Sequence, residues 1–212
     1  MAKKNWKLML FGALALAVLA GSQLLAQRSN ETLHQRVQKA GGKLVWTYTP
    51  NRGVVYPNLE ELAKRSEVII VGRAIGHRGR LTPDGNSVVN EFSVRVQEVI
   101  KGDMPNGRSI QVRLPGGSYR FPDRTHVFVK PLGYTQAVDG GIYVFFLNKQ
   151  SPVDKAYEPT SETQSLFALT GGRVRPANQV AYDPLVLKYG AMDAASFLSQ
   201  LHRAVPREKK PK

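Results

Sequence analysis

From Val68 onward, the apolar residues of this 212-residue chain recur at every second position rather than every third or fourth. Phe92, Val94 and Val96 alternate with Ser93, Arg95 and Gln97; Ile110, Val112 and Leu114 alternate with Gln111 and Arg113. A period of two sends successive side chains to opposite faces of a strand, so each segment buries one face and wets the other. Residues 68–74, 125–129 and 142–147 add three more strands, the last apolar throughout and therefore read as central. Residues 166–169, a turn at Gly171-Gly172, and Val174 read as a closing hairpin. The punctuation is Pro83-Asp84-Gly85-Asn86, Lys101-Gly102-Asp103 and Pro115-Gly116-Gly117. Five or more short strands so separated predict a mainly β fold, a small barrel or sandwich. Its expected core is Val68, Ile70, Phe92, Val94, Val96, Ile110, Val112, Val144 and Phe146.

Helical period is confined to short flanking pieces. Residues 29–40 place Leu33, Val37 and Ala40 on one side, with Ser29 or Asn30 as cap and Gly41-Gly42 as stop. A strand at 44–49 follows, ended by Pro50 and a turn at Asn51-Arg52-Gly53. Whether this part packs on the barrel is left open by the sequence. Asn58, with Glu61 three residues on, starts a helix carrying Leu59, Leu62 and Ala63 and ending near Ser66. Residues 176–184 read as a linker, and Asp193 caps a last helix with Phe197, Leu198 and Leu201 on one side.

Lys3, Lys4 and Lys7 precede an uncharged apolar run at 8–20, the pattern of a secretory signal peptide. Ala26 is the favoured cleavage point, which starts the mature chain at Gln27. The alternative is a retained anchor, because the stretch opening at Leu8 and closing at Ala26 nears the length that spans a bilayer. Both readings export the rest of the chain, to the periplasm or outside, or to an outward-facing anchored state. The expected organisation is therefore 1–26 leader, 27–55 helix–strand extension, 56–177 β-barrel, 178–202 linker and helix, and 203–212 basic disordered tail.

The formal net charge is +14, from 30 Lys and Arg against 16 Asp and Glu. Removing residues 1–26 takes three lysines and leaves +11, of which +4 lies on the tail. Such a balance attracts anionic surfaces, polysaccharide or nucleic acid, and it is also what a solvated basic surface looks like. The absence of cysteine excludes disulfides, thiolate metal sites and thiol nucleophiles.

The order Ser66-Glu67-Val68-Ile69-Ile70-Val71-Gly72-Arg73-Ala74, then 92–102 ending in Ile100-Lys101-Gly102, then Gly141-Ile142-Tyr143-Val144-Phe145-Phe146-Leu147, resembles a loose group of uncharacterised secreted bacterial proteins. The same order is similar to the netrin-like module and the tissue inhibitors of metalloproteinases, whose fold is an OB-type barrel. The resemblance covers about residues 56–177 and implies a small OB-like barrel with short helices at its N-terminal side and C-terminus. Metalloproteinase inhibition is not implied, because it works through an N-terminal cysteine.

No Gly-x-Ser-x-Gly, His-Glu-x-x-His or Gly-x-x-x-x-Gly-Lys motif occurs, and no catalytic residue, metal ligand or cofactor is expected. His77 and His126 each have arginine neighbours that disfavour a bound cation. The candidate ligand-binding residues are Arg73, Arg95 and Arg113, at alternating positions of separate strands, with Tyr119, Arg120 and Phe121 crowded in one loop. Arginine opposite a buried face is also ordinary patterning for a half-wet sheet. The leading expectation is an exported, non-catalytic module binding a partner protein or anionic envelope polymer. A polyanion or nucleic-acid binder using the basic strand face and tail is the alternative, with nucleic acid the less favoured ligand. An unrecognised hydrolase comes third.

Overall fold

The computed structural model describes residues 31–50, 53–149 and 156–205. The leader, the Ser29 and Asn30 caps, Asn51 and Arg52 of the first turn, and the tail from residue 206 lie outside the described residues. The chain is mainly β, with two sheets and a few short helices.

Helix α1 (Leu33–Lys39) begins at Thr32. The Gln35 N–H donates to Thr32 Oγ1, and Thr32 N–H donates back to Gln35 Oε1, a reciprocal cap that satisfies two orphan donors. Leu33 and Val37 are buried as expected, but Ala40 is the exposed C-cap. Strand β1 (Lys43–Tyr48) follows, and then helix α2 (Leu59–Arg65), which Asn58 caps by accepting from Glu61 N–H at 2.9 Å.

Next come two long strands, β2 (Val68–Leu81) and β3 (Val88–Lys101), joined by the expected 83–86 turn. Asp84 closes that turn by accepting from Thr82 Oγ1 and Asn86 N–H. The later strands are β4 (Ser109–Pro115), β5 (Gly117–Arg120), β6 (His126–Pro131), β7 (Ile142–Lys149), β8 (Ala156–Pro159), β9 (Leu166–Thr170) and β10 (Arg173–Pro176). Helices α3 (Pro184–Tyr189) and α4 (Ala194–Ala204) end the described chain.

The larger sheet runs β10-β9-β7-β2-β3-β4-β8, and β8 also pairs with β7. Strands β7, β2, β3, β4 and β8 thus form a barrel-like ring, antiparallel except for the parallel β4–β8 contact. Val68, Ile70, Phe92, Val94, Val96, Ile110 and Val112 share one core cluster, as the alternation requires. Val144 and Phe146 do not join it. On β7 the residues in that cluster are Tyr143, Phe145 and Leu147. Val144 and Phe146 instead pack in a second layer with Ile69, Val71, Phe167 and the helices α2, α3 and α4. Both faces of β7 are buried, so no polar residue marks its phase.

The smaller sheet, β1-β6-β5, has β1 parallel to β6. Its core joins Val127 and Val129 to Leu33 and Val37 of α1 and to Val88 of the β2–β3 hairpin. The N-terminal helix and strand are therefore packed on the rest of the protein. The C-terminal region is packed too: Phe197 and Leu201 of α4 are fully buried beside Phe146 and Phe167. Within the stretch read as a linker, Pro176, Ala177 and Asn178 are buried, and Asp183-Pro184 opens a helix that the sequence reading omits.

The Lys101-Gly102 element has a local structural task. Lys101 Nζ donates to the carbonyls of Ala63 at 2.8 Å and Ser66 at 2.6 Å, placing a cation on the open C-terminal end of α2. Gly102 follows with φ +93, against the backbone of Glu67 and Val68, where a Cβ would be strained and crowded. Lys101→Met is expected to lower stability by about 1–2 kcal/mol, read as a shift of the urea midpoint. An unchanged midpoint would show that water caps α2 equally well.

Candidate functional site

The outer faces of β2, β3 and β4 carry Arg73, Arg78, Arg80, Arg95 and Arg113. Register sets the first row: Arg78 of β2 stands opposite Glu91 of β3, and Glu91 stands opposite Arg113 of β4. Arg80 lies two residues beyond Arg78 and so leaves β2 on the same face. All three arginines turn toward one carboxylate. Arg78 donates to Glu91 Oε1 from Nε at 3.2 Å and from Nη2 at 2.5 Å. Arg80 Nε is 3.1 Å and Arg113 Nε 3.5 Å from Glu91 Oε2.

Beneath this fan the Glu91 side chain is only 4% exposed, whereas those of Arg78 and Arg80 are 63% and 47% exposed. Burial pushes the Glu91 carboxyl up. The Arg78 hydrogen bonds and the charges of Arg80, Arg78 and Arg113 outweigh burial and hold it below the usual glutamate range. One acid against three permanent cations leaves the cluster at +2.

Arg73 and Arg95 form a second cationic row, directly opposite each other on β2 and β3. Like charges in a cross-strand pair destabilise a sheet. Arg73 turns aside to donate to the Gly140 carbonyl at 2.9 Å, and Arg95 is exposed with no ion pair among the described residues. Ser93 and Gln111, joined by a 2.9 Å hydrogen bond, bridge the two rows. Four residues along β3 separate Glu91 from Arg95, about 13 Å at strand spacing.

Of the six sequence candidates, Arg73, Arg95 and Arg113 share this face. The other three belong elsewhere. Phe121 is 6% exposed and belongs to the core beneath α1, stacked on His34 at 4.2 Å with Tyr119 against its edge. It is not a stacking platform for a ligand. Arg120 and Tyr119 lie on β5, which packs against Gly79 and Asn90, on the side of the hairpin opposite Arg78 and Glu91.

Arg78 and Arg80 were not among the candidates, because a register shift between Ala74 and Gly76 inverts the strand phase. Arg73 faces outward before the shift, and Arg78 and Arg80 face outward after it. An isolated glycine inside a strand pattern, here Gly76, was the signal available.

On its β4 side the cationic face is bounded by an open cleft of about 380 Å³, lined in part by Arg113, Tyr48, Glu158 and Glu162. Tyr48 donates its hydroxyl proton to Glu162 at 2.7 Å, and burial followed by that bond pushes the phenol far above its ordinary value. The positive track therefore continues along β2 and β3 toward Arg95 rather than past β4.

Three histidines are paired with carboxylates: His34 with Asp123 at 2.8 Å, His77 with Asp139 at 2.9 Å, and His202 with Glu98 at 2.9 Å. The Thr125 hydroxyl bonds to Asp123 rather than to His34, so the imidazole is not placed to take the hydroxyl proton. That Thr125 bond, with His34 and Gln38 adding to it against slight burial, holds Asp123 well below the usual carboxylate range. Among the described residues no three His, Asp or Glu side chains group as a metal site would need. Compared with known proteins, the chain matches no protein-family model and no curated protein sequence.

Proposed function

We propose that this protein is an exported, non-catalytic module that binds an anionic polymer of the cell envelope along the outer face of β2–β4. The observation that carries the reading is the arginine fan. Glu91 orders three guanidiniums, leaves a surplus of two positive charges, and continues into the like-charged Arg73–Arg95 pair. Setting two arginines opposite each other costs a sheet stability; Arg73 recovers part of that at the Gly140 carbonyl, and polymer binding gives exposed Arg95 a use outside folding.

An OB-type, netrin-like barrel is the finer fold reading. It is supported by the five-strand circuit, the parallel β4–β8 contact and an interior filled by side chains. Barrels of that kind take ligands on the outer strand face and the adjoining loops. Export rests on the three lysines and the apolar run at 8–20.

Heparin serves as the probe. Binding is expected to fall steeply with ionic strength, and Arg78→Gln/Arg80→Gln is expected to weaken it about tenfold or more at low salt. Replacing exposed Arg120 by glutamine, off this face, is expected to change it little. Equal losses from both variants would reduce the attraction to net charge alone.

A further inference from the structure

A second site, sharing no residue with the arginine face, lies on the extension of the sheet beyond the ring. Its floor is set by register: Tyr143 of β7 stands opposite Ala168 of β9, which stands opposite Arg175 of β10, while Thr170 stands opposite Arg173. One wall is the segment after β6, fastened by Thr135 N–H to the Ala177 carbonyl and Gln179 N–H to the Gly133 carbonyl, both at 2.7 Å. The end of α3 forms the other wall, with Val186 and Gly190. The cleft between these walls is open to solvent and measures about 520 Å³, within the range that accepts a small organic molecule.

We propose that this cleft binds a small molecule with an oxyanion head, gripped by Arg173 and Arg175. The two arginines are two residues apart on β10, so their side chains leave the same face of the strand. Among the described residues neither makes an ion pair and no carboxylate lines the cleft. Asp193 lies opposite Arg173 across a backbone bridge, but its carboxylate caps α4 by accepting from Ser196 N–H at 2.8 Å.

A further donor stands at the floor. The buried Tyr143 hydroxyl accepts from Val138 N–H at 2.9 Å, which leaves its own proton to give, and no described residue accepts it. Two guanidiniums and a phenol lining one cleft supply N–H and O–H donors of the kind that phosphate or carboxylate oxygens accept. Ala168, Val138 and Val186 offer the same molecule an apolar bed.

The test is calorimetric titration of the full chain with phenyl phosphate, inorganic phosphate and phenol. Phenyl phosphate is expected to bind most tightly, inorganic phosphate more weakly through the head alone, and phenol least. Arg173→Gln and Arg175→Gln are each expected to weaken phenyl phosphate about tenfold or more. Tyr143→Phe is expected to weaken it severalfold, while Arg78→Gln leaves it unchanged. Thermal midpoints check that the arginine variants remain folded. No binding of either phosphate overturns the proposal. So does binding that survives the double substitution at Arg173 and Arg175, and a loss confined to Arg78→Gln would move the ligand to the outer strand face.

Discussion

Replacing Phe92 by alanine is expected to lower the unfolding free energy by about 3–5 kcal/mol. The ring lies near the middle of β3, 1% exposed, with His77 and Val112 as its cross-strand partners. It points into the cluster enclosed by β7, β2, β3, β4 and β8, and His77 covers it at 5.0 Å. A wall closed by hydrogen bonds on every side has little freedom to move inward. The void left by the missing ring would therefore stay largely unfilled, which places the cost in the upper part of the usual range for large-to-small changes. Chemical denaturation measures it as a shifted midpoint at unchanged slope. Val45→Ala, at an exposed position of β1, is expected to stay within about 0.5 kcal/mol. A Phe92→Ala loss below about 1 kcal/mol would show that the ring interior is not packed around this residue.

The same feature explains what the sequence made legible. In β3 and β4 polar residues alternate with apolar ones, because one face looks inward and the other meets water. Every inward residue of the 92–96 and 110–112 stretches follows from that pattern. Strand β7 lies between two apolar layers, so Val144 and Phe146 are as hydrophobic as Tyr143 and Phe145, and the period carries no sign.

Strands β5 and β8 have four residues each, too few for a period to show, whereas β10, equally short, is marked by the Gly171-Gly172 turn before it. Helix α3 is only six residues long and opens at Pro184, the last residue of the stretch that reads as a linker. After Asp183, which accepts from Leu185 and Val186 N–H, a proline in the first turn is a start signal. The arginine fan required knowing where β2 slips register. The Arg173–Arg175 cleft required knowing that the segment after β6 pairs with residues 177–179, just beyond β10. Arginines are visible in a sequence, but their convergence is a product of register and of chain crossings that local pattern does not encode.

Glu91→Gln separates a structural from a functional role for the fan, because the two roles give different signs. Glu91 is buried and receives hydrogen bonds and charge from three arginines, so neutralising it is expected to cost about 1.5–3 kcal/mol. Arg78 and Arg80 can swing into water, which keeps the loss below that of stranding a fully buried cation. The folded carboxyl titrates below the ordinary value of about 4.3, so its contribution is complete above that pH and is lost as pH falls through the folded value. The stability gap between wild type and E91Q is therefore expected to be constant near neutrality and to shrink in acid.

Binding moves the other way. Removing the acid raises the cluster from +2 to +3, and heparin is expected to bind E91Q more tightly than wild type at low salt, with a steeper salt dependence. Lower stability with tighter, more salt-sensitive binding is the signature of arginines that Glu91 both orders and restrains. If stability falls and heparin affinity does not change, the arginines serve only to neutralise a buried acid, and the outer face of β2–β4 is not the ligand surface.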